Sequence, residues 1–186
     1  YTIGSTIKKA FEQKADLYII SGIDSAASLT MNELELIKEN LNKGSKMLML
    51  NTGKRAVDIF PEYISDYLNR PLETAHIDIP ESEIFKEIQH MDLRYFNNNK
   101  SQKPLVYKGL LQVHKKDKIS SLVSGCEHKY ARGSDQSAQL LTMKGFPMIS
   151  IKNHGKVILS EMLLDKGLYD PVAAKILSNM ILDLIN

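Results

Sequence analysis

Short apolar runs alternate with helically spaced apolar residues through the first part of the chain. The runs at 17–20 and 47–50 are continuously apolar, which is typical of parallel strands buried on both faces. Apolar residues three or four positions apart flank these runs, as in helices that cover a sheet. They are Ile7, Phe11 and Ala15 before the first run, and Leu34, Ile37 and Leu41 between the two. This alternation predicts a parallel sheet with right-handed crossovers.

Capping residues indicate where the second helix begins and ends. Thr30 stands three positions before Glu33, the spacing of a capping box. Gly44 stands where the C-terminus of a helix favours glycine. A further helical pattern covers 57–68, with Pro61 breaking or restarting it. The first half is therefore predicted to hold three helices and two buried strands.

The pattern changes near Pro71, and from Pro104 onward the segments become short and β-like. The predicted strands are 105–113, 119–123, 139–143, 148–151 and 156–159. The tetrapeptide 152–155 has the composition of a hairpin turn. An amphipathic helix closes the chain, entered through Asp170-Pro171 with proline in its first turn. Residues 1–186 are predicted to form a single α/β domain with an antiparallel β extension in the second half.

Composition narrows the class of protein. The 186 residues are 43% hydrophobic and 25% charged, with a net charge of +2, as in a globular domain with a sizeable core. Positive and negative charges are nearly equal in number, so electrostatics gives no reason to expect a nucleic acid or an anionic membrane as partner. The short basic run of Lys115, Lys116 and Lys118 is interpreted as a solvated turn.

Targeting signals are not visible in the sequence. No apolar stretch reaches the roughly 20 residues that span a bilayer, and no signal peptide is recognisable. The chain opens with Tyr1 and enters a helical pattern almost at once. We therefore expect it to be a piece of a longer protein, with any targeting signal upstream.

The single cysteine is a weak candidate for catalysis. Cys126 excludes an internal disulfide and a cysteine-based zinc site. Cys126 and His128 would share a face of a strand, so a thiol–imidazole pair is one hypothesis. A small buried apolar residue is the interpretation that we favour. Glu127, His128 and His154 show no metal-ligand spacing, so no metal is expected.

The segment Leu50-Asn51-Thr52-Gly53-Lys54 has the outline of a strand, a sharp turn and a helix. Many α/β enzymes mount a nucleophile on such a turn, with the nucleophile at positive φ and small residues around it. Leu50 and Lys54 are not small, and positive φ is an outlier for a β-branched residue such as Thr52. The two glycines of a P-loop are also missing. A simple turn that uses Asn51 and Gly53 for its geometry is the favoured interpretation.

Several segments together resemble a known family. They are Asp16-Leu-Tyr-Ile-Ile-Ser-Gly, Gly44-Ser-Lys-Met-Leu-Met-Leu, Pro80-Glu-Ser-Glu-Ile-Phe-Lys-Glu-Ile, Met91-Asp-Leu-Arg-Tyr-Phe, Gly155-Lys-Val-Ile-Leu-Ser-Glu-Met-Leu-Leu and Asp170-Pro. In this order they resemble the glutamine amidotransferase-like domain appended to bacterial glycoside hydrolases, notably family-two enzymes of the β-galactosidase type. The chain departs from the family motifs at Pro80-Glu81 in place of His-Pro, at Phe96 in place of tryptophan, and at Glu161 in place of glutamine.

The resemblance implies a flavodoxin-like fold of the class I amidotransferase type. Catalytic members of that class use a Cys-His-Glu triad, which would place Thr52 near the Cys position and Leu159 and Glu161 near the His and Glu positions. Two of the three chemical groups are then missing. With no adjacent base expected, the Thr52 hydroxyl is a poor nucleophile. Thr52 and Glu161 would mark a vestigial site, with no catalytic residue and no cofactor.

Two further groups of residues are candidates for a ligand-binding or interdomain surface. Asp24 follows the first buried strand, at the edge where α/β sheets place ligands. Asp92, Arg94 and Tyr95 stand together with Phe96 behind them. The competing interpretations are a helix-entry loop for Asp24 and a surface ion pair for Asp92 and Arg94. A third group, Glu81, Glu83 and Glu87, is interpreted as charges at a helix start.

Three functions follow as expectations. The first, implied by the resemblance, is a non-catalytic accessory domain of a glycoside hydrolase, whose partners are the catalytic domain of the same polypeptide and carbohydrate. A periplasmic or extracellular location follows if that enzyme is secreted. The second is a stand-alone amidotransferase-like hydrolase built around Cys126 and His128. The third is a carbohydrate-binding module with Tyr95, Phe96, Tyr130 or Tyr169 as stacking platforms.

Overall fold

The computed structural model of the chain describes residues 6–24, 29–71, 75–94, 107–114, 117–132, 138–152, 155–164 and 170–186. Side chains are described in these ranges except at 94, 127–132 and 138–143. The lysines at 115 and 116 lie outside the described residues, as do 153 and 154 of the predicted hairpin turn.

Helices and strands alternate in the first half and strands dominate the second. The helices of the described ranges are α1 (Ile7–Phe11), α2 (Met31–Asn42), α3 (Arg55–Ile59) and α4 (Pro171–Ile185), with 3₁₀ turns at Glu83–Phe85 and His90–Arg94. The strands are β1 (Leu17–Ser21), β2 (Lys46–Leu50), β3 (Ile64–Leu68), β4 (His76–Ile77), β5 (Leu110–Val113), β6 (Ile119–Arg132), β7 (Ala138–Lys152) and β8 (Lys156–Ser160). None of these helices is long and apolar enough to cross a membrane.

One sheet of eight strands organises the described residues. Its main path runs β1-β2-β8-β7-β5-β3, and β6 pairs with β7 and carries β4. Strands β1, β2 and β8 are parallel, while β7, β5, β3, β6 and β4 join through antiparallel pairings. The fold is flavodoxin-like, with a parallel core of three strands and an antiparallel part that is larger than the sequence suggests.

Helices cover both faces of the parallel core. Along β2, Leu48 and Leu50 belong to the cluster that holds the buried residues of α4, while Met47 and Met49 belong to the cluster under α2 and α3. Successive side chains of a strand point to opposite faces, so a strand covered on both sides must be apolar throughout. This explains the continuous apolar runs of β2 and β8. Strand β1 lies at the end of the strand order and Ile19 is 52% exposed, so the prediction of burial on both faces was wrong for this strand.

The predicted helix ends are present. Thr30 and Glu33 form the capping box of α2, with each side chain bonded to the other's backbone N–H. Gly44 has φ 87°, the left-handed conformation that favours glycine after a helix. Asp170 accepts hydrogen bonds from the N–H groups of Val172 and Ala173, so it caps α4 ahead of Pro171.

The segment 64–68 is a strand, so the prediction of a helix over 57–68 was wrong in its second part. Helix α3 ends at Ile59, and Pro61 lies in the turn that follows. Ile64 and Leu68 then pair with Val113 and Leu110 of β5. Their spacing of four fits a helix locally, but pairing with a distant strand overrides local propensity.

The second half has fewer and longer strands than the sequence suggests. Segment 119–123 is the start of β6, and 139–143 and 148–151 are parts of β7. Gly145 lies inside β7 and does not end the strand. A glycine is needed there because a Cβ would come within 2.4 Å of Gln112 Nε2. The predicted strand 105–113 is described only from Tyr107, which forms an isolated bridge to Met162 before β5. Helix α1 also ends at Phe11, short of Ala15.

The three glutamates predicted at a helix start have different surroundings. Glu83 begins the 3₁₀ turn Glu83–Phe85, and Glu81 lies in the turn before it. Glu87 has φ 64° and pairs with Lys175 of α4 at 2.6 Å, so the prediction was wrong for this residue. The chain turns out of the 3₁₀ segment at Glu87, where its carboxylate reaches a neighbouring helix.

Two buried serines offer a matched test of hydrogen bonding in the sheet. Ser160 Oγ accepts from the Met162 N–H at 3.3 Å, while the Ser150 hydroxyl has no partner among the described residues. We expect Ser150→Ala to leave the free energy of unfolding unchanged or raise it by up to about 1 kcal/mol, because an unsatisfied hydroxyl is removed. Ser160→Ala should lower it by about 1–3 kcal/mol, since the buried Met162 N–H loses its acceptor. Urea denaturation measures both, and equal losses would contradict the prediction.

Candidate functional site

Three polar segments meet at the carboxyl edge of the parallel strands. Strands β1, β2 and β8 lie side by side in register, with Ser21 opposite Leu50 and Leu50 opposite Ser160. The residues that follow these strands are therefore neighbours, although they are far apart in sequence. This edge brings Asp24, the turn 51–53 and Glu161 together, at the place where α/β folds hold ligands.

The turn after β2 has its left-handed residue at Asn51 and not at Thr52. Asn51 has φ 54° and Gly53 has φ 57°. Asparagine tolerates this conformation far better than a β-branched residue does. The Asn51 N–H donates to Ser160 O at 2.8 Å, which ties the turn to the end of β8. An elbow would carry its nucleophile at the left-handed position, and here that position holds an amide side chain.

Glu161 fills the hydrogen-bond donors of this turn with its own carboxyl group. Its Oε1 atom accepts from the Thr52 N–H at 2.8 Å, the Thr52 hydroxyl at 2.6 Å and the Gly53 N–H at 3.1 Å. Glu161 and Thr52 are both 0% exposed. One oxygen of a buried acid thus joins the end of β8 to the turn after β2.

The second carboxyl oxygen has a different environment. Glu161 Oε2 is buried and has no hydrogen-bond partner among the described residues. Burial raises the pKa of the Glu161 carboxyl above its ordinary value of 4.5, against the lowering effect of the hydrogen bonds from Thr52 and Gly53, and the charge of Asp24 adds to the rise. An uncharged acid is favoured because desolvation penalises the carboxylate.

An ion pair covers this buried group. Lys108 Nζ lies 3.0 Å from Asp24 Oδ2. The side chain of Lys108 is 35% exposed and that of Asp24 is 39% exposed. The Lys108 N–H also donates to the main-chain oxygen of Glu161 at 3.0 Å. A Cβ at Gly53 would lie 3.0 Å from Asp24 Cβ, so Asp24 packs directly against the turn.

Tyr67 of β3 is the remaining ionisable group at this edge. Burial raises the pKa of its phenol above the ordinary value of 10.0, and the charges of Glu161 and Asp24 raise it further. Its ring occupies the space beside Gly109, where a Cβ would clash with the hydroxyl. Gly109 follows Lys108, so the strand entry that supplies the cation also makes room for the phenol.

The expectation that Thr52 has no base nearby was wrong. Its hydroxyl oxygen lies 2.6 Å from a carboxyl oxygen of Glu161, because β8 is the direct neighbour of β2 in the sheet. The structure therefore brings Thr52 and Glu161 into contact. Leu159, at the position expected near the histidine of a triad, is a fully buried core residue of β8. The contact is a capping interaction more than a dyad, since the same Glu161 oxygen also accepts the N–H groups of Thr52 and Gly53.

Cys126 is not the buried apolar residue that we favoured from the sequence. It is exposed on β6, opposite Lys144 of β7. His128 lies on the same strand, but its side chain is outside the described residues, as is all of His154.

Asp92 and Arg94 lie in the 3₁₀ turn His90–Arg94. Asp92 Oδ2 accepts from the Gln89 N–H at 2.7 Å, so this carboxylate caps its own turn. The side chain of Arg94, all of Tyr95, Phe96 and Tyr169, and the side chain of Tyr130 lie outside the described residues. The ligand surface at Arg94 and Tyr95 and the stacking platforms stay predictions. Across the described ranges, no group of three or more His, Cys, Asp or Glu side chains could hold a metal ion.

Sequence reasoning missed Lys108 and Tyr67. Neither residue stands in a motif, and each reaches the edge through the antiparallel pairing of β3 with β5. The sequence predicted a strand over 105–113, and that prediction gave no reason to place Lys108 beside Asp24. The nearest local signal is Gly109, a glycine at the entry to a strand, which often marks a close approach.

The Thr52 hydroxyl offers a test of the capping interaction. We expect Thr52→Val to lower the free energy of unfolding by about 0.5–1.5 kcal/mol, the net contribution of a hydrogen bond between uncharged groups. Thr52→Ser keeps the hydroxyl and serves as the matched control, losing only a methyl group. Urea denaturation at neutral pH compares the two. A valine variant as stable as the native chain would show that the bond contributes nothing.

No protein-family model matches the chain, and no curated protein matches it. Solved structures with a similar fold include a ThuA-like protein from Bacteroides uniformis, with 13% identity over 96% of this chain and 72% of that one, at a TM-score of 0.53. The cytoplasmic protein STM1381 from Salmonella typhimurium shares 14% identity over 98% and 76% of the two chains, at 0.54. The mmIFT52 N-terminal domain shares 17% over 96% and 80%, at 0.51.

These likenesses bear on the fold alone, because all three identities are low. ThuA-like proteins have a glutamine amidotransferase-like fold, and the sheet and helices described above agree with it. None of the three structures links the chain to a glycoside hydrolase, so that part of the resemblance stays a prediction. The chain has a flavodoxin-like fold similar to that of the amidotransferase-like proteins.

Proposed function

We propose that this chain is a non-catalytic accessory domain of a carbohydrate-active glycoside hydrolase, with a structural role between domains or in oligomerisation. The observation that carries the non-catalytic part is the hydrogen bonding of Glu161 Oε1. It accepts from both N–H groups and the hydroxyl of the Thr52-Gly53 turn. The glycoside hydrolase part rests on the segments quoted from the sequence.

A working elbow needs vacant donors. In acyl-transfer enzymes, backbone N–H groups beside the nucleophile bind the oxyanion that forms in the transition state. Here the corresponding N–H groups, Thr52 and Gly53, already donate to Glu161. A substrate oxygen would have to displace a buried carboxyl group that is covalently part of the domain. The same contact that stabilises the turn thus removes its capacity for catalysis.

The nucleophile is also missing. Asn51 holds the left-handed position of the turn, and an amide does not attack a carbonyl. Thr52 is 0% exposed, so its hydroxyl meets no substrate. Its neighbour Glu161 is equally buried, and its Oε1 atom is already occupied by the N–H groups of Thr52 and Gly53. An amidotransferase-like fold with occupied donors and no exposed nucleophile at this turn suits a domain that serves by packing.

Hydrolase assays on the chain test the non-catalytic proposal. We expect no turnover of glutamine or of para-nitrophenyl acetate above that of the matched variant Cys126→Ser. The exposed thiol of Cys126 is the group on which the alternative of a stand-alone hydrolase depends. Turnover that disappears in Cys126→Ser would replace the proposal with that alternative. Turnover that disappears in Thr52→Val would show that the turn is catalytic after all.

A second assay tests the glycoside hydrolase part on the full polypeptide that carries this domain. We expect hydrolysis of a para-nitrophenyl β-galactoside, with kcat/KM changed less than about twofold by Glu161→Gln, because an accessory domain does not contact the transition state. A full polypeptide without glycosidase turnover would contradict the assignment. A large loss of kcat in the variant would contradict the accessory role alone.

A further inference from the structure

The two oxygens of the Glu161 carboxyl group have opposite surroundings. Oε1 accepts three hydrogen bonds, at 2.6, 2.8 and 3.1 Å. Oε2 is buried and has no partner among the described residues. Two N–H groups, which can only donate, already occupy Oε1, so Oε2 is the oxygen left for a proton bound to this acid. The contacts alone therefore identify the atom that carries the proton.

Loss of that proton creates an imbalance. The charge of a carboxylate is shared by both oxygens. A buried oxygen that carries part of this charge without a hydrogen bond is costly in free energy. Three hydrogen-bond donors stabilise the charge on Oε1, whereas none of the described residues donates a hydrogen bond to Oε2. Because Oε2 is buried, water can reach it only if the edge opens.

We propose that Glu161 Oε2 is a binding site for one proton, and that its occupancy controls how firmly the end of β8 is joined to the turn after β2. With the proton bound, the acid is neutral and Oε1 keeps all three donors. With the proton lost, the carboxylate favours conformations in which the carboxyl edge is open to water. The inference does not depend on the function of the larger polypeptide.

The charged groups around Glu161 determine the direction of the effect. Asp24 follows β1, Lys108 precedes β5, and Tyr67 lies on β3. Asp24 is an acid beside another acid, so it opposes the ionisation of Glu161. Lys108 favours ionisation, but its ammonium is already paired with Asp24 at 3.0 Å. Tyr67 is uncharged at neutral pH, since burial and these acids raise the pKa of its phenol.

The dependence on pH is opposite to that of an ordinary ion-paired glutamate. Because burial raises the pKa of folded Glu161, the folded chain binds this proton more tightly than the unfolded chain does. The stabilisation is fully present below pH 4.5, the ordinary value for the group, and is lost as the pH rises through the folded pKa. Between these two values, linkage of one proton changes the folding equilibrium by up to about tenfold per pH unit.

Glu161→Gln imitates the protonated acid. Its amide oxygen can accept from Thr52 and Gly53, and its amide nitrogen carries hydrogen where Oε2 carries the proton. We expect the variant to lose the decline in stability of the native chain with rising pH. Glu62→Gln, at an exposed glutamate, is the control and should behave as the native chain does. Urea denaturation across pH 4 to 9 gives the comparison, taken over about the range in which a buried carboxyl titrates.

Hydrogen exchange reports on the edge itself. The Thr52 and Gly53 N–H groups donate directly to Glu161, so their protection factors measure how often this contact opens. We expect protection to fall by up to about tenfold per pH unit in the native chain, once intrinsic exchange is corrected. In Glu161→Gln it should stay constant. Constant protection in both chains would overturn the proposal.

One measurement needs no variant. The side-chain carboxyl carbon of Glu161, observed by carbon NMR in the native chain, should titrate above pH 4.5 together with the Thr52 amide. A titration at or below 4.5 would also overturn the proposal, even if Glu161→Gln failed to fold. Hydrolase turnover is not used in any of these tests, so their failure would leave the proposed accessory function standing.

Discussion

The contact between Glu161 and the turn after β2 depends on a single feature of the topology, the parallel pairing of β8 with β2. Because the two strands end at the same edge, the first residue after β8 meets the N–H groups that open the segment leading into α3. Those N–H groups have no hydrogen-bond acceptor within a helix, so another group must accept their hydrogen bonds. A carboxyl oxygen answers three donors at once. The left-handed Asn51, the packing of Asp24 on Gly53 and the burial of Thr52 all belong to this arrangement.

The antiparallel part of the sheet completes the same edge from the other side. Strands β7, β5 and β3 extend the sheet beyond β8, and the segment before β5 brings Lys108 over Glu161. A cation that belongs to this second half pairs with Asp24 from the first strand. The edge is thus built from both halves of the chain, and most of its polar groups bond to one another, with Glu161 Oε2 as the exception. Binding of an outside molecule would have to compete with these internal partners.

Local patterns predicted much of the fold and little of the site. The continuous apolar runs gave β1 and β2, and Thr30, Glu33 and Gly44 gave the ends of α2, because each of these features depends on neighbours in sequence. Strand β3 and the full length of β7 were missed, since both depend on pairing with distant strands. The contact of Thr52 with Glu161 is non-local in the same way. Resemblance placed both residues near one site, but only the sheet order makes them neighbours.

The residue at position 161 can have two roles, which are to cap the turn after β2 and to bind a proton. Glutamine is common at the matching position of the domains that the sequence resembles, and an amide oxygen accepts the same hydrogen bonds as a carboxyl oxygen. Capping the turn therefore does not require an acid. What glutamate adds is a group that can lose a proton in a place where burial resists the loss. If the acid contributed only structure, glutamine would serve at least as well at neutral pH. The physical consequence that belongs to glutamate alone is a carboxyl edge whose closure depends on one proton.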